Sequence, residues 1–121
     1  MGKRTGPTNE NLKYLIIALK KAAKDNKVKI WSRVAEDLQK SSRRRREADV
    51  ARIEKYANKD EMVIVPGKVL SNGELTKKIT VAAFRFSEKA EEKINKVGKA
   101  ITIEKLLKDN PKGKKVRIIG W

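Results

Sequence analysis

Neither cysteine nor histidine occurs in the 121 residues. Disulfides, thiolate nucleophiles and zinc ribbons are therefore excluded, and with them the usual proton shuttle and the commonest metal ligand. Nothing points to an oxidising compartment. Aromatic side chains make up only 5% of the chain, and they fall mostly within helix or strand stripes, so recognition of splayed bases on an aromatic platform is not expected. Apolar stretches such as residues 62–65 and 81–84 fall far short of the roughly 20 residues of a membrane span. Met1-Gly2-Lys3-Arg4-Thr5-Gly6 carries no apolar signal-peptide core, and Gly6 stands where a myristoylation signal needs Ser or Thr. The chain reads as cytoplasmic, with no membrane partner.

Catalytic patterns are equally scarce. Gly67 and Gly73 match neither a Walker A loop nor a dinucleotide fingerprint and read as turn glycines. Glu36-Asp37 and Glu91-Glu92 are neighbours on expected helices, where adjacent side chains diverge by about 100°, so they read as solvated faces. The expectation is a protein that is no enzyme, uses no cofactor and takes no small-molecule substrate.

What is abundant is positive charge. Lys and Arg number 31 against 15 Asp and Glu, a formal net charge of +16. Self-repulsion of that size opposes a compact state unless counter-charge is near, which implies a polyanionic partner. The excess is +9 over residues 1–60 and +7 over residues 61–121, so it is not confined to a tail. Its densest point is Lys40-Ser41-Ser42-Arg43-Arg44-Arg45-Arg46, five cations in seven residues. Guanidinium groups are planar forks that stay charged and grip phosphate oxygens bidentately. Four in series repel one another until phosphates intervene, and the run points to RNA.

The length suits one domain, read as a basic arm over residues 1–8, a mainly helical part with the arginine-rich loop over 9–60, and an α/β core over 61–121. Thr8 is placed to cap a helix with the stripe Leu12, Leu15, Ile16, Leu19, Ala22 and Ala23, ended by Asp25 and Asn26. Lys13, Lys20 and Lys24 lie largely off that stripe. Trp31, Val34, Ala35 and Leu38 form the stripe of a second helix, which makes Trp31 a core residue. Glu47 and Asp49 suit the positive N-terminal end of a third helix bearing Val50, Ile53 and Ala57.

From residue 61 the pattern changes. Met62 to Val65 reads as a strand buried on both faces and closed by Pro66-Gly67. Val69-Leu70 forms a further short strand before the turn Ser71-Asn72-Gly73. Ile79 to Phe86 is β-branched and aromatic, a strand followed by a helix capped by Ser87. Gly98 suits a left-handed C-terminal cap. Thr102 opens another helix, ended by Asn110-Pro111, and Val116 to Ile119 returns to the sheet and places Trp121 at the chain's end. The fold class is α/β, an irregular strand-strand-helix core with N-terminal helices and a basic N-terminal arm.

The candidate RNA-binding residues are Lys3, Arg4 and Thr5 in the arm, Lys40, Arg43, Arg44, Arg45 and Arg46 in the run, Arg52 and Lys55 on the third helix, and Lys68, Lys77 and Lys78 near turns. Arg85 is either a strand-end anchor or half of an internal ion pair. Strict alternation puts it on the face of Ile79, Val81 and Ala83, with Phe84 and Phe86 opposite.

The opening Lys3-Arg4-Thr5-Gly6-Pro7-Thr8-Asn9, the segments Ile30-Trp31 and Val34-Ala35-Glu36-Asp37-Leu38, the arginine run, Pro66-Gly67-Lys68-Val69-Leu70 and Thr80-Val81-Ala82-Ala83-Phe84 occur together in this order. Along essentially its whole length the chain resembles the family of large-subunit ribosomal protein eighteen, archaeal and eukaryotic type, a relative of bacterial large-subunit ribosomal protein fifteen. Asp49 stands where that family's pattern suggests Asn. The resemblance implies an architectural protein lying on large-subunit ribosomal RNA beside neighbouring ribosomal proteins, with the arm and Arg43 to Arg46 touching RNA. Charge alone equally admits a non-ribosomal RNA- or DNA-binding architectural protein.

Overall fold

A computed structural model describes residues 9–39, 46–59 and 61–119. The arm with Lys3, Arg4, Thr5 and the Thr8 cap, the segment from Lys40 to Arg45, and Trp121 lie outside the described residues. Two helices come first, α1 (Asn9–Asn26) and α2 (Lys29–Gln39). Strand β1 (Arg46–Asp49) leads into α3 (Val50–Tyr56), followed by β2 (Met62–Leu70) and β3 (Thr80–Phe86). The chain then runs through α4 (Glu88–Val97), β4 (Lys99–Thr102), α5 (Ile103–Asp109) and β5 (Val116–Ile118).

The described strands pair in parallel in the order β1-β2-β3-β4. Strands β1 and β5 share one edge of β2 end to end, β1 along residues 67–70 and β5 along residues 62–64. A parallel sheet needs cover on both faces, and the apolar residues supply it. Val63, Val65, Val81 and Ala83 pack with Val50, Ile53 and Ala57 of the α3 segment and with Ala90 and Ile94 of α4. Ile64 and Ala82 face the other way, against Leu15 and Leu19 of α1, the α2 stripe, and Ile103 and Leu106 of α5. The uninterrupted run of residues 62–65 thus feeds both clusters alternately. Trp31 is fully buried as expected, and its Nε1 donates to the Pro111 carbonyl at 2.7 Å, tying α2 to the turn before β5.

The expected helix starts hold where they depend on hydrogen bonding. Asp49, Ser87 and Thr102 accept from the amides of Arg52, Ala90 and Lys105, capping α3, α4 and α5. Asp and Asn cap about equally well, which accounts for the acid at position 49.

Four expectations change. Pro66-Gly67 does not close the strand and Val69-Leu70 is no separate one: all four residues belong to β2, with Pro66 and Gly67 buried at a register irregularity between Val65 and Lys68, where a proline's missing N–H breaks no ladder bond. Gly98 does not adopt the left-handed region but sits at φ −135°. Asp37 is buried, whereas Glu36 is exposed. Phe84 packs with the α1, α2 and α5 cluster, while Phe86, the last residue of β3, joins the opposite one.

Three carboxylates fasten the joints. Arg52's amide first, then the Asn72 side chain, hold the Asp49 carboxyl below its ordinary pKa. Thr76's hydroxyl and then its amide do the same for Glu54. Arg117 lowers Glu61 through a fork at 2.8 and 3.2 Å, helped by the Asn58 amide. A carboxyl whose folded pKa is depressed contributes stability that is complete above the unfolded value, about 4, and is lost as pH falls through the folded value. The denaturation midpoint should therefore hold from neutral pH down to about 5 and then fall. Glu54→Gln should lower the neutral-pH midpoint and flatten the acid decline; an unchanged acid limb in that variant would show that Glu54 does not titrate with folding.

Candidate nucleic-acid interface

At the carboxyl end of the sheet, three strands bring their charged residues into one row. Glu47 of β1, Lys68 of β2 and Arg85 of β3 are register partners in sequence across the ladders, and all three are exposed. Neighbouring strands lie about 4.8 Å apart, so Lys68 and Arg85 stand side by side. Like charges directly opposite one another destabilise a strand pair. Among the described residues, neither forms an ion pair with a carboxylate. The internal ion pair that was one reading of Arg85 is thus not formed there; its guanidinium lies 5.9 Å from the centre of the Phe84 ring.

The same row explains where the arginine run leads. Arg46 opens β1 and is the register partner of Gly67, so the run ends at the sheet edge next to Lys68. Positions separated by about twenty residues in the chain become adjacent only through parallel pairing.

A second cluster sits on α3. Arg52 and Lys55 are exposed, and their cationic groups lie 5.5 and 5.3 Å from the centre of the Tyr56 ring, which is itself 48% exposed. The ring's negative face attracts both cations and holds them toward solvent. Tyr56 was missed in the sequence, although its i, i+4 spacing from Arg52 on a helix was a usable signal.

Of the remaining candidates, one lies at the other end of the sheet and one is drawn into the end of α3. Lys78 is exposed near Lys99, at the amino end of the sheet where β3 and β4 begin. Lys77 is half-buried, and its ammonium donates to the Glu54 and Ala57 carbonyls at 2.8 and 3.0 Å, closing the last turn of α3. Lys77→Met should therefore cost about 1 kcal/mol of stability by leaving those acceptors without their donor. Its RNA affinity should be lower by one charge contact at most, and a binding defect without a change in denaturation midpoint would reverse the assignment.

Among the described residues no three carboxylates gather as a metal site, and no helix is long and apolar enough to cross a membrane. The profile of the ribosomal protein family that groups 50S-L15 and 50S-L18e with a protein of the 60S subunit matches residues 26–102. The chain belongs to that family. It is 48% identical over 112 residues to the large ribosomal subunit protein eL18 of Haloarcula marismortui, covering 93% of this chain and 97% of that one. The eL18 protein of Archaeoglobus fulgidus is 48% identical over 113 residues, with coverage of 93% and 97%. That of Methanoregula boonei is 44% identical over 120 residues, with coverage of 98% and 99%. Similarity therefore runs beyond the matched family region in both directions, through the basic opening and the last strand. Membership of this ribosomal-protein family marks the chain as structural, not enzymatic.

Proposed function

We propose that the chain is a structural constituent of the large ribosomal subunit in the cytoplasm, acting as one domain that binds and stabilises folded ribosomal RNA through its phosphates. The observation that carries this reading is the Lys68 and Arg85 pair, adjacent at the sheet end, exposed and, among the described residues, without an ion-paired carboxylate, at the edge where the arginine run ends. Glu47 flanks Lys68 on the β1 side without an ion pair among the described residues, so the unbalanced charge lies toward Arg85, where a phosphate placed between the two cations relieves it. Ribosomal RNA supplies phosphates in a rigid array, and neighbouring ribosomal proteins complete the surroundings. No step of bond making is assigned to any residue.

The relatives' name, large ribosomal subunit protein eL18, supports the particle in question. Salt-washed large subunits should contain the chain in stoichiometric amount, and the purified chain should bind large-subunit ribosomal RNA at low ionic strength. A chain found only in a free pool, or one that binds DNA duplexes and ribosomal RNA alike, would favour a non-ribosomal architectural protein.

A further inference from the structure

At the opposite end of the sheet lies a second basic surface that the sequence candidates did not include. Lys20, Lys24, Lys27 and Lys29 line an open groove of about 450 Å³ between the end of α1 and the start of α2, floored by Ala23 and Val28. Among the described residues, none of the four has an ion-paired carboxylate. Lys20 and Lys24 are an i, i+4 pair on one side of α1, and Lys27 follows directly after its last residue, Asn26. With Lys29 they line an open groove and not a closed pocket, an arrangement suited to a polymer of phosphates more than to a single enclosed anion.

The groove's position follows from three contacts. Trp31 Nε1 bonds Pro111, Asn110 Nδ2 lies 3.5 Å from Met62 Sδ, and Met62 N donates to the Lys115 carbonyl at 2.9 Å. The start of α2 therefore sits at the amino end of β2, whereas Lys68 stands near its carboxyl end. Six steps of about 3.3 Å separate Met62 from Lys68, so the two surfaces are roughly 20 Å apart along the strand. Lys112, Lys114 and Lys115 are exposed on the turn around Gly113, which abuts Val28 and Ile30 and so extends the basic surface.

Backbone conformation supplies an independent argument. Lys27 has φ 55°, and Val28 N donates to the Ala23 carbonyl at 3.1 Å, the hydrogen bond of a Schellman cap whose left-handed position favours glycine. Lys115 has φ 58°. Two lysines thus occupy conformations that L side chains rarely adopt, on the two turns that build this surface. Glycine suits both backbone conformations, so a Lys→Gly exchange there removes a cation without removing a conformation the turn requires.

We infer that the groove of Lys20, Lys24, Lys27 and Lys29 is a second RNA-backbone site, so that the protein clamps two RNA segments at opposite ends of its parallel sheet. This rests on the proposed function and adds the two-segment geometry to it. No aromatic side chain or acceptor amide lines the groove among the described residues, so it reads phosphates and not bases.

A bead-capture assay on the full chain tests the inference. A biotinylated short RNA duplex is immobilised, the protein is added, and capture of a second, fluorescent duplex reports bridging. The wild type should bridge. K20Q/K24Q/K27Q/K29Q should still bind the first duplex but lose bridging, and the slope of log affinity against log salt should become shallower by roughly 3 to 4. Lys27→Gly should weaken bridging while holding or raising the thermal midpoint, which separates loss of a ligand from loss of fold. Bridging and salt slope unchanged in the quadruple variant would overturn the inference, as would a wild type that binds RNA but never two duplexes; the function above would stand in both cases. Capture of polyglutamate that the quadruple variant loses, with RNA bridging intact, would overturn it in favour of an acidic protein segment. A wild type that binds no RNA at all would remove the proposed function and this inference together.

Discussion

Gly98→Ala is expected to unfold the protein or to cost at least about 4 kcal/mol, a loss confined to a short list of mechanisms. A Cβ at residue 98 would lie 2.0 Å from the Ile79 carbonyl oxygen and 2.9 Å from the Ile79 carbonyl carbon and amide nitrogen. Those atoms are backbone, and they are held on both sides. Lys99 N donates to the same Ile79 oxygen at 3.2 Å, while Gly98 N donates to Ile94 O at 2.7 Å to end α4. The turn from α4 into β4 therefore crosses the entry to β3 at a distance only a hydrogen atom permits. A domain's whole net stability is about 5–15 kcal/mol, so this one methyl consumes a large part of it. Gly113→Ala is the useful contrast. Its Cβ would meet the ends of two side chains, Ile30 Cγ2 at 3.0 Å and Val28 Cγ1 at 3.2 Å, which can move, although φ 66° adds strain. Its expected cost is about 1–2 kcal/mol. Urea denaturation of both variants checks the order, and a Gly98→Ala protein with the wild-type midpoint would mean that the α4 to β4 crossing is not this close.

Replacing Arg43, Arg44, Arg45 and Arg46 by Gln should produce the largest binding defect. If each guanidinium neutralises one phosphate, the salt slope becomes shallower by roughly 3 to 4, and incorporation into large subunits at moderate salt should fall by about a hundredfold. The ladder between β1 and β2 uses backbone groups, which Gln keeps, so the denaturation midpoint should change far less than the affinity. The readouts are filter binding to large-subunit ribosomal RNA across a salt series and sedimentation of reconstituted particles. Wild-type incorporation by the variant would remove the arginines from the role assigned to them.

Much of the secondary structure was legible because its causes are local. The stripe of Trp31, Val34, Ala35 and Leu38 repeats at the helical period, and Ser87 and Thr102 stand where an oxygen is needed for an exposed amide. The run of residues 62–65 announced a strand covered on both faces. Other elements had no such local cause. Arg-Glu-Ala-Asp forms β1 only because the exposed edge of β2 offers partners from Gly67 to Leu70, and no propensity of four mostly polar residues predicts it. Strand β4 is short and half-buried, directed by the edge of β3. Gly98 was correctly singled out, but for a cap conformation when the cause is a backbone crossing.

The candidate site divides in the same way. Net charge and the arginine run are properties of composition and local sequence, so the expectation of a polyanionic partner needed no coordinates. Which cations stand together is a property of pairing. Lys68 meets Arg85 through sheet register, Lys77 is drawn into the end of α3, and four lysines outside the sequence candidates gather around a groove where α1 turns into α2. The physical reason is range: helical periodicity, caps and charge are set within a few residues, whereas strand order, register and the approach of distant backbones are chosen by burial of the two apolar clusters on either side of the sheet.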